Sequence, residues 1–209
     1  MLVRAQQTVG VSLRPSDLKL RPGQAVGLFG GSFDPPHEGH LHVARTALRR
    51  LGLDRVVWLV SPGNPLKGPK RGDLERRLRL AREITRGRGM MVSGAEAELG
   101  TRYTLETVRA LKRLYPGVRF VWIMGGDGLA QFHRWRGWEH ILREVPVAVI
   151  ARPGYISRAR LSPAARRFAF ARVPAARARL LPRSRPPTWA YLQPRWNHAS
   201  STALRSRLR

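Results

Sequence analysis

Residues 25–40 read AVGLFGGSFDPPHEGH, an apolar run followed by two glycines and by two histidines three positions apart. The run AVGLF (25–29) has the length and composition of a buried strand, whereas residues 39–51 place apolar side chains at helical spacing. Glycines between a strand and a helix let the backbone approach a phosphate, which the N–H groups at the helix start can bind. The stretch therefore predicts a strand, a phosphate-binding turn and a helix, the opening unit of an α/β sheet.

The same alternation of strand and helix continues through the chain. Apolar runs predict further strands at 56–60, 90–92, 118–124, 145–151 and 188–193. Helical spacing predicts helices that begin at Asp73 and Thr104 and a helical stretch over 128–142. Because βαβ units wind right-handed into parallel sheets with helices on both faces, we predict a Rossmann-like, doubly wound parallel sheet of the α/β class.

The two ends of the chain differ from this regular middle. Residues 1–24 show no sustained hydrophobic period, so we expect an N-terminal extension before a single domain at 25–209. No acidic residue follows Glu144, while arginine and proline recur. This part is either a separate basic tail or the irregular last third of the same domain. The strand-like TWAYLQ (188–193) favours the second alternative.

Charge is the most unusual property of the composition. Lys and Arg number 39 against 13 Asp and Glu, a formal net charge of +26. Such a charge favours a polyanion, which is a nucleic acid, a membrane surface or a small phosphorylated substrate. The absence of cysteine excludes disulfides, Cys-ligated zinc and a thiol nucleophile. The apolar runs are too short for a membrane span and the N-terminus lacks a signal-peptide core, so we expect a cytoplasmic protein without a membrane partner.

His37 and His40 stand at the start of the first predicted helix. Their spacing excludes the zinc-peptidase motif HExxH, in which the two ligands are four positions apart. The turn also lacks the P-loop pattern GxxxxGK[ST] and the dinucleotide fingerprint GxGxxG. Two histidines at this spacing are by themselves more often surface or capping residues than functional ones, so the surrounding sequence has to decide between these roles.

The stretch GSFDPPHEGH (31–40) resembles the HxGH signature of the nucleotidylyltransferase superfamily, and ASSTALR (199–205) resembles its second signature, ISSTxIR. Within the superfamily the chain is most similar to the bacterial nicotinate-nucleotide adenylyltransferase family. That similarity includes RYTLET (102–107), IMGGD (123–127), FHRWRGWEHIL (132–142) and ARPGY (151–155). The resemblance implies an enzyme that transfers the adenylyl group of ATP to nicotinate mononucleotide, giving deamido-NAD and pyrophosphate in NAD biosynthesis. Ala199 and Leu204 replace the usual isoleucines, a change of packing rather than of chemistry.

The resemblance also implies which residues form the site. His37 and His40 would be catalytic and hydrogen-bond the α-phosphate as negative charge builds on it. The residues expected to bind ATP are Gly31, Ser32, Phe33, Gly125, Asp127, Ser200, Ser201, Thr202 and Arg205. Those expected to bind the nicotinate nucleotide are Thr104, Leu105, Trp135 and Arg136, with the indole stacked on the pyridine ring. Mg²⁺ would be bound mainly by the ATP phosphates, with few or no protein ligands.

Several of these features have a structural alternative. Asp127 and the triplet at 200–202 could be helix N-caps, Lys67 could be a solvated loop residue rather than a phosphate ligand, and we assign Trp122 and Trp138 to packing.

Two alternative functions follow from the same residues. One is another adenylyltransferase, for example one acting on pantetheine phosphate, but such enzymes have Thr at the first histidine position and lack the features at Tyr103 and Trp135. The other is a basic nucleic-acid-binding protein. Against it, the chain has no RRM, KH, zinc-finger or helix-turn-helix signature and its arginines are dispersed, so we expect no nucleic-acid partner.

Overall fold

Strands and helices alternate along the part of the chain that the computed structural model describes, which is residues 18–63, 73–87 and 89–193. The strands are β1 (Ala25–Gly31), β2 (Arg55–Val60), β3 (Met90–Ser93), β4 (Arg119–Gly125), β5 (Val147–Ile150), β6 (Arg172–Val173) and β7 (Trp189–Leu192). The α-helices are α1 (Glu38–Leu51), α2 (Leu74–Ile84), α3 (Ala95–Glu98), α4 (Thr104–Leu114), α5 (Gly126–Gln131), α6 (Trp138–Glu144), α7 (Ile156–Arg160) and α8 (Pro163–Arg167). None of these helices has the length and apolar character that crossing a membrane requires.

These strands form one sheet in the order β3-β2-β1-β4-β5-β7-β6, and every neighbouring pair is parallel. The chain moves outward from β1 to β3 and then crosses to the other side of β1 with β4. The strand order therefore reverses between β1 and β4. In open α/β sheets, such a reversal leaves a crevice beyond the carboxyl ends of the two strands, and ligands bind there.

Each face of the sheet carries its own apolar core, which explains why the strands read as continuous apolar runs. Successive side chains of β4 point to opposite faces, so Trp122 joins one core and Ile123 the other. Helices α4 and α6 cover the first core, whereas α1 and α2 cover the second. The predicted α/β fold with a doubly wound parallel sheet is confirmed.

The helical stretch expected over 128–142 is interrupted in the structure. Helix α5 ends at Gln131, a 3₁₀ turn covers Phe132–Arg134, and α6 begins only at Trp138. Gly137 precedes α6 with a φ of 67°, a left-handed conformation that favours glycine. The chain therefore turns sharply between the two helices, and this turn carries Trp135 to the crevice.

The acid-free C-terminal third contributes to the same sheet, because β7 pairs with β5 and β6 pairs with β7. Trp189 Nε1 donates to the Phe168 carbonyl oxygen at 2.7 Å, which fixes β7 to the segment after α8. At the other end, the boundary expected at residue 24 differs from the structure. Leu18 and Leu20 are buried in the core, so the packed part of the chain includes residues before 25.

Candidate active site

A cavity of about 460 Å³ lies at the carboxyl ends of β1 and β4, at the switch point of the sheet. It brings together residues that are far apart in sequence. Of the residues expected from the sequence, those that line it are Gly31, Ser32, Phe33, His40, Thr104, Gly125, Asp127, Trp135 and Arg136. Ser200, Ser201, Thr202, Arg205 and Lys67 lie outside the described residues. His37 and Leu105 are described but do not line the cavity.

The two glycines that end β1 are required by what lies beneath them. A Cβ atom on Gly30 would lie 2.5 Å from Trp122 Cη2, and one on Gly31 would lie 2.9 Å from Phe33 Cζ. Phe33 itself has a φ of 46°, and its ring is buried against Phe29 and Trp58. Aromatic rings therefore support the turn on both sides, and residues 30–33 line the cavity.

His37 and His40 use the same ring nitrogen to form the start of α1. Nδ1 of His37 accepts from Gly39 N–H at 3.0 Å, and Nδ1 of His40 accepts from His37 N–H at 3.3 Å, a reciprocal capping box. In a neutral imidazole whose Nδ1 accepts, Nε2 carries the hydrogen. The centroids of the two imidazole rings lie 3.8 Å apart, and the angle between the ring planes is 32°. The cap thus sets both rings to offer an N–H donor at Nε2.

The two histidines differ in their access to the cavity. His40 lines it, whereas His37 lies behind with 4% of its surface exposed. Burial, together with the nearby charge of Arg152, lowers the pKa of His37 to about 4, although Asp127 acts in the opposite direction. His37 is therefore neutral near pH 7, and it supports His40 while it caps the helix.

We expect the pKa of His37 to appear in the pH dependence of stability. The unfolded chain protonates this residue near pH 6.5, but the folded protein resists protonation until about pH 4. The contribution is fully present above pH 6.5 and is lost as the pH falls toward 4, by on the order of 3 kcal/mol. His37→Asn keeps a capping side chain but does not titrate. Urea unfolding from pH 7 to pH 4 should show the variant losing less stability than wild type; parallel curves would contradict the assignment.

Arg77 holds together two loops at the cavity. It belongs to α2, is fully buried, and donates to the carbonyl oxygens of Ser32 at 2.9 Å, Ser61 at 2.6 Å and Pro62 at 3.3 Å. Ser32 follows β1 and Ser61 follows β2, so one guanidinium joins the loops beyond two neighbouring strands. Five N–H donors in a planar fork suit this geometry, which the single ammonium of lysine cannot reproduce.

Asp127 lies in the first turn of α5 and pairs with Arg152, with 3.1 Å between Arg152 Nη1 and Asp127 Oδ2. The N-cap position of α5 is occupied by Gly125, and Asp127 makes no capping hydrogen bond. The capping role considered for Asp127 is therefore absent. A Cβ atom on Gly125 would collide with Asp127 Oδ1, so glycine is needed for the carboxylate to lie here.

The end of the cavity opposite the glycine turn is formed where the start of α4 meets the turn before α6. The guanidinium carbon of Arg136 lies 4.6 Å from the centroid of the Tyr103 ring, a cation–π contact between the two segments. Leu105 packs below, where a Cβ atom on Gly137 would lie 3.1 Å from its Cδ2. Leu105 thus supports this end without lining it. The early N–H groups of α4 have no intrahelical acceptor and can hold an anion.

Tryptophan side chains divide between the cavity and the core. Trp135 is half-buried, lines the cavity and meets Trp122 edge-on with centroids 6.3 Å apart. Trp122 is a core residue, as expected, but it also lines the cavity floor. Trp138 packs against Phe132 and Phe168 away from the cavity, in agreement with its assignment to packing.

Arg77 and Glu96 are among the residues of the site that the sequence analysis missed. Arg77 occupies the stripe of α2 that also carries Leu74, Leu78 and Ala81, and an arginine within an apolar stripe was the available signal. Glu96 lies in the acidic AEAE segment, which reads as a solvated face. Its position directly beyond β3 was the signal, because ligand-binding side chains gather at the carboxyl ends of parallel strands.

Known proteins with similar sequences show the family to which this chain belongs. The family model described as "Cytidylyltransferase-like" matches residues 28–207. A protein of Caulobacter sp. (strain K31) named "Probable nicotinate-nucleotide adenylyltransferase" is 60% identical over 183 residues, which is 87% of this chain and 97% of that protein. A protein of Cereibacter sphaeroides with the same name is 58% identical over 181 residues, which is 87% of this chain and 96% of the length of that protein.

Solved structures with a similar fold have much lower sequence identity. The nicotinic acid mononucleotide adenylyltransferase of Plasmodium falciparum, complexed with NaAD, superposes with a TM-score of 0.65 at 15% identity. The superposition covers 88% of this chain and 83% of that one. The same Plasmodium protein complexed with APC gives a TM-score of 0.62 at 14% identity. At this level of identity the likeness concerns the fold.

Proposed function

Because this chain belongs to the cytidylyltransferase-like family and, within it, to the nicotinate-nucleotide adenylyltransferases, we propose that it adenylylates nicotinate mononucleotide. ATP and the mononucleotide give deamido-NAD and pyrophosphate, a step of NAD biosynthesis. One observation carries the proposal: the glycine turn with His40 and the segments around Thr104 and Trp135 line a single cavity at the switch point. The cavity thus has a phosphate end and an aromatic end with helix N–H groups.

The chemistry needs positioning and charge stabilisation rather than a covalent intermediate. A phosphate oxygen of the mononucleotide attacks the α-phosphorus of ATP in line, forming one P–O bond as the bond to pyrophosphate breaks. Negative charge develops on the oxygens around the α-phosphorus. The Nε2–H of His40 and the backbone N–H groups after β1 donate to these oxygens, while Asp127 holds Arg152 at the cavity wall.

Magnesium in this proposal is bound to the phosphates of ATP. Within the described ranges there is no group of three or more His, Cys, Asp or Glu side chains that could hold a metal ion. Of the carboxylates that line the cavity, Asp127 is already paired with Arg152. The ion would reduce the charge of the triphosphate, and the side chains around it would orient that triphosphate. We also propose that the protein acts in the cytoplasm, since both substrates are phosphorylated and highly charged.

The direct test is a pyrophosphate-release assay with ATP and one acceptor at a time. We expect turnover with nicotinate mononucleotide, less with nicotinamide mononucleotide, and none with pantetheine phosphate. The preference for the acid follows from N–H groups at the acceptor end, which bind a carboxylate but offer no acceptor for an amide N–H₂. A gel-shift measurement at physiological salt tests the nucleic-acid alternative, since nonspecific phosphate binding weakens steeply with ionic strength.

Trp135 provides a test of the acceptor end. If its indole stacks on the pyridine ring, Trp135→Ala should weaken acceptor binding by about 1–3 kcal/mol and leave ATP binding unchanged. Phe at this position should restore most of the loss, whereas Leu should not. Titration of acceptor and ATP separately by calorimetry gives both affinities.

Trp138 is the matched control for that experiment, since it is also half-buried but packs away from the cavity. Trp138→Ala should reduce the free energy of unfolding, by up to about 3–5 kcal/mol, without changing the acceptor affinity of the folded fraction. Equal weakening of ATP and acceptor in the Trp135 variant would contradict the stacking role.

A further inference from the structure

Glu96 is a carboxyl group at the cavity for which the proposed function has no role. It lies in α3, directly beyond the carboxyl end of β3, and it lines the cavity although only 9% of its surface is exposed. Burial raises the pKa of Glu96 to about 7. A carboxyl group in such a place is costly to ionise, and a cationic ligand would offset that cost.

Hydrogen bonds to its carbonyl oxygen join Glu96 to the segment that leads into α4. Its carbonyl oxygen accepts from Thr101 N–H at 3.0 Å and from Thr101 Oγ1 at 3.4 Å. Thr101 Oγ1 in turn shares a 2.9 Å hydrogen bond with Thr107 Oγ1, inside α4. Glu96 is therefore joined through Thr101 to α4, the helix that begins at Thr104, and both Glu96 and Thr104 line the cavity.

The acceptor carries a charge of the required sign. The pyridine nitrogen of a mononucleotide is bonded to ribose, so the aromatic ring is a cation. Opposite charges attract more strongly in a water-poor site than in bulk water. Resting on the proposed function, we propose that Glu96 determines specificity for acceptors with a cationic ring, because its carboxylate is the counter-ion of the pyridinium ring. It would act on the nicotinate and nicotinamide nucleotides alike, and leave the choice between acid and amide to the backbone N–H groups.

Other charged groups face the same cavity and belong to the argument. They are Arg102 and Tyr103 before α4, Arg134 and Arg136 before α6, and His40, Asp127 and Arg152 at the phosphate end. Arg134 and Arg136 are exposed, so water screens them, and Asp127 is paired with Arg152. Among the described residues that line the cavity, Glu96 is thus the buried carboxyl group.

Proton release is the first measurable consequence. In the free enzyme at pH 7, about half of the Glu96 carboxyl groups hold a proton, which must leave when the cation binds. Nicotinate mononucleotide binding to wild type, measured calorimetrically at pH 7 in buffers of different ionisation enthalpy, should release about half a proton more than binding to Glu96→Gln. Wild-type affinity, relative to the variant, should rise by up to about tenfold from pH 6 to pH 8.

A ligand without the ring charge separates a counter-ion from a packing residue. Reduced nicotinate mononucleotide has a neutral dihydropyridine ring of nearly the same shape. At pH 8, Glu96→Gln should weaken binding of the cationic nucleotide by about tenfold and leave binding of the reduced nucleotide nearly unchanged. ATP affinity should not change in either case. Glu98→Gln, an exposed position on the same helix, should bind both nucleotides as wild type does.

The outcomes distinguish this inference from the proposed function. If wild type transfers adenylyl groups to nicotinate mononucleotide but Glu96→Gln weakens both nucleotides equally or neither, the counter-ion role is overturned and the function stands. If wild type does not use this acceptor, the proposed function fails first. Folding of the variant is checked by thermal unfolding: above pH 7 it should be at least as stable as wild type, because the folded state no longer buries a carboxylate.

Discussion

Replacement of His40 by alanine is expected to lower kcat by about 10²–10⁴-fold while the protein remains folded. In the proposed mechanism, the Nε2–H of His40 donates to oxygens on which charge develops in the transition state, so its loss should affect turnover more than substrate binding. The ring also accepts the His37 N–H through Nδ1, and loss of that capping bond should cost about 1 kcal/mol of stability. Steady-state kinetics, corrected for the folded fraction, measure the effect.

His42 is the matched control for this variant. It lies on the same helix, one residue beyond Leu41, but does not line the cavity. His42→Ala should keep kcat within a few-fold of wild type. If His40→Ala were equally mild, the histidine at the cavity would be a capping residue only, and the charge would have to be stabilised by the backbone of 30–33.

Replacement of Arg77 by methionine is expected to lower the free energy of unfolding by about 3–5 kcal/mol and to raise the KM for ATP. Methionine fills a similar volume but leaves three carbonyl groups without their donor, and each such group costs about 1–3 kcal/mol when buried. Because Ser32 belongs to the turn that we propose binds the phosphates of ATP, its release should loosen ATP binding as well. Urea unfolding and ATP titration measure the two effects.

Arg76, the next residue, is the control. Its side chain is largely exposed and its contact with Asp34 is as long as 4.0 Å, so Arg76→Met should change stability by less than about 0.5 kcal/mol. Arg77→Lys retains the charge but not the fork, and we expect only partial recovery. Equal behaviour of the Arg76 and Arg77 variants would show that the three hydrogen bonds contribute little.

Local features of the site were predictable from sequence, and features that depend on distant packing were not. The turn at 30–40 is readable because glycine, helix capping and histidine spacing all act within one short segment. The interruption of the predicted helix before α6 was missed; Gly137 adopts a left-handed conformation there, and Leu105 of another helix lies close to it. The burial of Arg77 and Glu96 depends on loops and strands distant in sequence, so the local signals, an arginine in an apolar stripe and a carboxylate beyond a strand, were not enough to predict it.

The segments that form strands were easier to predict than the residues at which the strands begin and end. Apolar runs identify β1, β2 and β4 because both faces of a central parallel strand are covered. The run at 145–151 predicted a longer strand than Val147–Ile150. Val145 is buried outside the strand, and Ala151 follows the strand with its N–H donating to the Leu192 carbonyl oxygen at 2.8 Å. Burial and strand pairing are separate conditions, and hydrophobic pattern reports only the first.

The two ends of the cavity are built from contacts of very different range along the chain. The capping box joins residues 37 and 40, so it can form as soon as one turn of α1 exists. The acceptor end requires Tyr103 to meet Arg136, and it can form only when two separate crossovers have docked on the sheet. The capping box is therefore a local unit, whereas the acceptor end is assembled from distant segments. Exchange of the segments around 101–105 and 134–137 could redirect such an enzyme toward another acceptor while the capping box stays intact.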